Sequence, residues 1–544
     1  LSLVVPRDQK QPLTGTMTAR FRLSDAAQPL VIDFAPGADK VRAVTVGGMA
    51  VAHTYVADHV VIPAAALAPG LNEVRIEFTA GDASLNRNPY FLYALFVPAR
   101  AHLAIPVFDQ PDLKARWTLE LTYPGEWLAV SNGAPSQAGQ IALFEGAAGS
   151  GSAVTTRFAE TEPLPTYLFS FVAGDFQVET AVRDGRTYRM YHRETDAAKV
   201  ARNKDAIFDL HARALAFMED YTGIPYAFGK FDLVAIPAFQ FGGMEHAGKV
   251  LYNASSLLLD ESATQNQFLG RASVISHETA HMWFGDLVTM RWFNDVWMKE
   301  VFANFMAAKI VNPSFPEVNH DLRFLFAHYP AAYDVDRTPG ANPIRQPLAN
   351  LNEAGSLYGA IIYQKAPVIM RHLEALLGET SFRDGLREYL NAHRFGNATW
   401  SDLIEVLDRR TPVDLAAWST VWVETAGRPT ITTELAVEDG RIVSLAFSQR
   451  DVQQRGLLWP QQLRVTVALP EGVRTIEVAL DSARTPVPQA GGWPAPRYVL
   501  PNGGGWAYVG FVLDPASQDY LASHISELPD VLTRGAAWVT LWDA

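Results

Sequence analysis

The chain of 544 residues contains no cysteine. Disulfides, thiolate metal sites and cysteine nucleophiles are therefore excluded, and the redox compartment leaves no mark. Charged residues make up only 19%, and the 45 basic side chains are outnumbered by 58 acidic ones, for a formal net charge of −13. That balance disfavours a nucleic-acid backbone as partner and suits a soluble protein with a mildly acidic surface. No apolar run reaches the ~18 residues that a membrane span requires. Internal repeats and low-complexity tracts are lacking too. An initiator methionine is also missing: the first residue is Leu1. A soluble protein is expected, exported or periplasmic ahead of cytoplasmic, and monomeric. What is present is 48% hydrophobic residues, an ordinary share, in a chain long enough for about three domains.

Hydrophobic periodicity changes along the chain. Residues 1–182 read as short strands: 16–23 and 116–122 alternate with period two, and Gly/Pro/Asp turns separate the runs. Residues 183–427 turn helical, with apolar residues at i, i+3, i+4 over 198–221, 268–284, 295–311, 359–377 and 401–409. One strand, 231–236, precedes the pair Gly242-Gly243. Residues 428–513 return to strands at 430–437, 442–447, 463–469 and 508–513, which predicts a small β-sandwich. Residues 514–544 read as the beginning of a helical region.

The most informative residues are His277-Glu278-Thr279-Ala280-His281. Histidines four apart on a helix share a face, so two imidazoles can grip one Zn2+ while the glutamate between them acts as base on a water. H-E-x-x-H arises by chance in roughly 2 of 100 such chains, so a plain exposed helix is the weaker reading. Glu300, on a predicted second helix beginning near Asn294-Asp295, completes a set of two histidines and one carboxylate. Three protein ligands leave a fourth position for water, the mark of a catalytic ion rather than a structural one.

These residues and three further blocks resemble the aminopeptidase N family of zinc exopeptidases, gluzincins in which H-E-x-x-H is followed by a ligand glutamate in a W-x-N-E-G-F-A context. Here that context reads Trp297-Met298-Lys299-Glu300-Val301-Phe302-Ala303. Phe108 to Ala115 resembles a signature of the family's N-terminal sheet domain. Gly242-Gly243-Met244-Glu245-His246 resembles its G-A-M-E-N motif, and Ile362-Tyr363-Gln364-Lys365-Ala366 its I-x-Y-x-K-G block. The resemblance implies a multidomain α and β fold: an N-terminal antiparallel β domain, a thermolysin-like α/β catalytic domain, a small β-sandwich and a short helical stub. The C-terminal helical domain of larger members would be lacking.

The resemblance also implies roles. Glu278 is the general base, Tyr363 donates to the oxyanion, and Glu245 anchors the substrate's α-ammonium. Gly242, Gly243, Met244 and His246 line the peptide, which adds as an extra strand beside the glycines. Asp295 is expected to orient a ligand histidine. Some positions depart from the family pattern. Leu95 and Val97 occupy a loop that usually carries a second amine-binding glutamate, so Val97 is expected to line an apolar first-residue pocket. The motif's asparagine is His246, and Val301 and Ala366 replace glycines. The reading is a zinc metallo-aminopeptidase acting on peptides with a free N-terminus. The alternatives are a related zinc hydrolase or endopeptidase with altered amine recognition, and a zinc-containing peptide-binding pseudoenzyme.

Overall fold

Period-two alternation in the early sequence becomes antiparallel sheet. In strand Gly70–Thr79, Val74, Ile76 and Phe78 are fully buried while Arg75 and Glu77 face water, as a pleated ladder with one dry face demands. The computed structural model describes residues 1–136 and 152–544. They form a mixed α and β chain with several sheets. It divides into two compact units: Leu1–Phe293 with Ala349–Gly355 and Leu390–Thr399, and Asn294–Leu348 with Ser356–Tyr389 and Trp400–Ala544. Among the described residues no helix is long and apolar enough to cross a membrane.

The first unit opens with a seven-stranded sheet centred on Thr14–Leu23 and Gly70–Thr79, which pair antiparallel along their whole length. The expected strand at 16–23 lies within Thr14–Leu23. The one expected at 116–122 starts only at Leu119. Trp117 leaves the ladder because its backbone N–H donates to Thr161 Oγ1 at 3.1 Å and its ring stacks on Phe169, centroids 4.3 Å apart. A four-stranded sheet follows, in which Phe91–Ala94 pairs with Phe171–Gly174.

A five-stranded sheet of this unit carries the candidate site. Its strand order is Gln177–Arg183, Arg186–His192, Phe231–Ile236, Lys249–Asn253, Gly243–Met244. The three inner strands are parallel, and Phe231–Ile236 is buried at every residue, as a parallel strand covered on both faces must be. Helix Ala197–Thr222 is capped by Asp196, whose carboxylate accepts from the Ala198 and Lys199 amides. It stops at Gly223, where φ is +68 and only glycine enters the left-handed region without cost. Helix Gln265–His281 starts earlier than periodicity predicts. Thr264 and Gln267 form a reciprocal capping box, which fixes the start at Gln265, three residues before the expected 268.

In the second unit, strands Pro429–Glu438 and Arg441–Asp451 belong to a four-stranded sheet, and Gln461–Leu469 to a three-stranded one. Both sheets send residues into one core, Ile431 and Phe447 from the first, Leu463, Val465 and Val467 from the second. The hairpin partner Gly472–Leu480 was not anticipated in the sequence, although Ile476, Val478 and Leu480 alternate inward. Helices Pro515–His524 and Val531–Asp543 end the chain.

Candidate active site

Strand Gly243–Met244 is the outer edge of its sheet, paired antiparallel with Lys249–Asn253. The Asn253 amide extends the pairing by donating to Gly242 O at 3.0 Å. The segment that follows is pinned from outside. Buried Asn132 donates through Nδ2 to Leu168 O at 2.8 Å and to Ala247 O at 2.9 Å. Gly248, at φ +78, brings its backbone so close that a Cβ there would lie 2.4 Å from Asn132 O. His246 is fully buried, its Nδ1 3.3 Å from Leu168 O. Met244 and Glu245 are buried, Gly243 is half-buried and Gly242 is exposed. Leu95 and Val97 are also buried.

Helix Gln265–His281 brings His277 and His281 together. Their Nε2 atoms are 3.0 Å apart. His281 Nδ1 faces the Phe284 carbonyl at 3.0 Å, which can only accept. That nitrogen therefore carries the proton, and Nε2 presents its lone pair. At Zn–N distances of about 2.0–2.1 Å, one ion reaches both Nε2 atoms. Among the described residues, two groups of three offer ligand atoms that all lie within 4.8 Å of one another: His277, His281 and Glu300, and Glu245, Glu278 and His281. The donor chemistry of the first, two neutral imidazoles and a carboxylate, fits a catalytic zinc.

Glu278 and Glu245 are thus two buried carboxylates held near each other. The Tyr252 hydroxyl is kept well above its usual pKa first by burial and then by the Glu278 charge. It donates to His211 Nε2 at 3.0 Å, because His211 Nδ1 is committed to Ile207 O at 2.7 Å. Burial pushes His211 down to about 4. Both groups are neutral and supply no positive charge to Glu278.

Glu300 sits on helix Val296–Val311 and is buried. Lys299 Nζ, equally buried, donates to Glu300 Oε1 at 2.6 Å. The one local signal of this pair is a lysine, Lys299, where the resembled motif has asparagine. Asp295 does not orient a ligand histidine. Its two oxygens accept from Arg345 Nε at 2.6 Å and Nη2 at 3.2 Å. Tyr363 lies in a π-helical turn, Ile361–Lys365, a wide turn common at functional sites. Its ring stacks against Tyr358, centroids 6.3 Å apart.

Residues 207–422 match the family model described as the peptidase family M1 domain, and residues 82–168 match the peptidase M1 N-terminal domain. Aminopeptidase N of Streptomyces lividans is 29% identical, over 97% of this chain and 63% of its own length. Probable aminopeptidase 1 of Sulfurisphaera tokodaii is 32% identical, over 66% of this chain and 44% of its own length. Leucyl aminopeptidase of Saccharolobus solfataricus is 30% identical, with the same two shares. The chain spans less than two thirds of the length of these curated relatives.

Proposed function

Since the chain belongs to the peptidase M1 family, that of aminopeptidase N, we propose that it is a zinc metallo-aminopeptidase that releases N-terminal residues from peptides. The observation that carries this reading is the pair of overlapping groups around His281. One group can hold an ion and the other places two carboxylates beside it. His277, His281 and Glu300 would hold a single Zn2+. When bound, the ion lowers the pKa of water from 15.7 toward ~7 and polarises the scissile carbonyl.

The rest is done by side chains and backbone. Glu278 takes the proton from the attacking water and returns it to the leaving amine. Glu245 receives the substrate's α-ammonium, and its burial strengthens that contact. The outer side of the edge strand Gly243–Met244 receives an extended peptide, with Gly242, Met244 and His246 shaping that edge. Tyr363 donates to the oxyanion, a contact typically worth ~3 kcal/mol in the barrier. Leu95 and Val97 form an apolar wall for the first side chain. The fold we assign is an N-terminal β domain over 1–182, a thermolysin-like catalytic domain over 183–427, a β-sandwich over 428–513 and a helical segment over 514–544.

The test is metal analysis joined to a screen of aminoacyl reporters with and without chelator. The expected result is about one zinc per chain and turnover that disappears on chelation and returns with zinc. Turnover that persists in the chelated protein or in Glu278→Gln would overturn the reading. A second reading, an endo-acting hydrolase on the same scaffold, rests on apolar Leu95 and Val97 standing where the family motif supplies a second amine anchor. Peptide products separate the two, single N-terminal residues being the exopeptidase's signature.

A further inference from the structure

We propose that Asn132 is a positioning residue for amine recognition, tying the segment that carries Glu245 to the strand that leads into Leu95 and Val97. The inference rests on the reading of Glu245 as the amine anchor. Asn132 directly follows strand Leu128–Ser131 and is buried. Its amide makes three contacts. Nδ2 donates to Leu168 O at 2.8 Å and to Ala247 O at 2.9 Å, and Oδ1 accepts from the Ser170 amide at 2.8 Å.

The first two contacts fasten the anchor segment. Ala247 lies two residues beyond Glu245. The Leu168 carbonyl also faces Nδ1 of His246, the next residue after Glu245, at 3.3 Å. On the other side of Glu245, Met244 is in register with Leu251 of the neighbouring strand. Glu245 is thus bracketed by the sheet before it and by Asn132 after it. The third contact runs toward the apolar wall. Ser170 Oγ donates to the carbonyl of Ala94, the residue before Leu95, at 2.9 Å, and Ser131 Oγ holds the Ser170 carbonyl at 2.9 Å. Ala94, Ser131, Leu168, Ser170 and Ala247 are all buried, where a polar group that loses its partner is left unsatisfied at full cost. A first residue must meet a carboxylate with its ammonium and an apolar wall with its side chain. Asn132 bonds to both segments, so it sets the spacing between them.

Asn132→Asp keeps the shape of the side chain and turns Nδ2 into an oxygen, which as a carboxylate can only accept and here faces two carbonyls. The added negative charge attracts an ammonium, so a loss of amine recognition cannot come from the charge itself. The experiment is a double-mutant cycle of the parent, Asn132→Asp, Glu245→Gln and the double variant on one free-amine aminoacyl reporter, with the zinc content of each. Asn132→Asp should lower kcat/KM roughly 10- to 100-fold, the range of an about 1 Å misplacement, at unchanged zinc content. In the Glu245→Gln background the same substitution should cost less than about twofold, because the group it positions is gone. A parental rate in Asn132→Asp overturns the proposal. Additive losses overturn it too, since a merely structural residue gives them. If Asn132→Asp does not fold, Asn132→Ala carries the same cycle, and failure of both to fold marks the residue as structural and overturns the proposal as well. A parental rate in Glu245→Gln would instead sink the anchor assignment, and this inference with it. An impaired Glu245→Gln beside a parental Asn132→Asp would sink the positioning alone.

Discussion

Lys365 Nζ lies 2.8 Å from Asp336 Oδ2, and neither side chain has exposed surface. Lys365 also donates to Gly427 O at 2.7 Å, and the Tyr508 hydroxyl donates to the same Asp336 oxygen at 3.0 Å. This cluster anchors the end of the π turn that carries Tyr363. A buried pair adds little over an apolar replacement, but removal of one partner strands a charge. Asp336→Asn should therefore lose about 3–5 kcal/mol of stability. Combining it with Lys365→Met should cost less than the sum of the single variants, because no orphan charge remains. Denaturant midpoints of the three variants decide it; strictly additive losses would refute the coupling.

Lys114 carries a half-buried charge. Its Nζ is 3.4 Å from Asp286 O, and burial pushes it down to about 7 against the opposing pull of the Asp286 charge. An unfolded lysine titrates near 10.4. Between pH 7 and 10 the unfolded chain therefore holds a proton that the folded one has released, and stability rises with pH across that window. The slope approaches about 1 kcal/mol per pH unit. Lys114→Met should flatten it and be more stable than the parent at pH 6. Urea midpoints at pH 6, 8 and 9.5 are the measurement, and an unchanged slope in the variant would refute the assignment to Lys114.

Legibility in the sequence followed the range of the interaction. His277 and His281 meet because four residues on a helix bring them to one face, a relation that spacing alone fixes. The capping box at Thr264 and Gln267 is equally local and readable, although periodicity draws the start to residue 268. Asp295 went the other way. Its partner Arg345 is 50 residues along the chain, and no local pattern announces the pairing. The contact of Glu278 with Gly243 was likewise out of reach, since it exists only once an edge strand and a helix are packed.

In the proposed function amine recognition is left to Glu245 alone, with apolar Leu95 and Val97 at the positions where the resembled pattern carries a second carboxylate. A charge-assisted contact is worth about 1.5–3 kcal/mol. Glu245→Gln should lower kcat/KM on free-amine reporters roughly 10- to 100-fold and leave N-acetylated reporters unaffected. Equal losses on both reporter classes would remove Glu245 from amine binding.

Either of the two groups that share His281 could hold a cation. His277, His281 and Glu300 offer two neutral imidazoles and one carboxylate; Glu245, Glu278 and His281 offer two carboxylates and one imidazole. The first set matches the ligand types and number of a catalytic zinc, and its two Nε2 atoms are already 3.0 Å apart. An ion in the second set would consume the base and the amine anchor together, leaving no proton acceptor for hydrolysis. Zinc should therefore raise the melting temperature of the parent, as binding to the folded state alone must. The same rise should persist in Glu245→Gln and Glu278→Gln and be lost in His277→Ala and Glu300→Ala. Calorimetric titration of the four variants with zinc is the measurement. Retained stoichiometry in His277→Ala, with loss in Glu245→Gln, would place the ion in the second set and overturn the catalytic assignment.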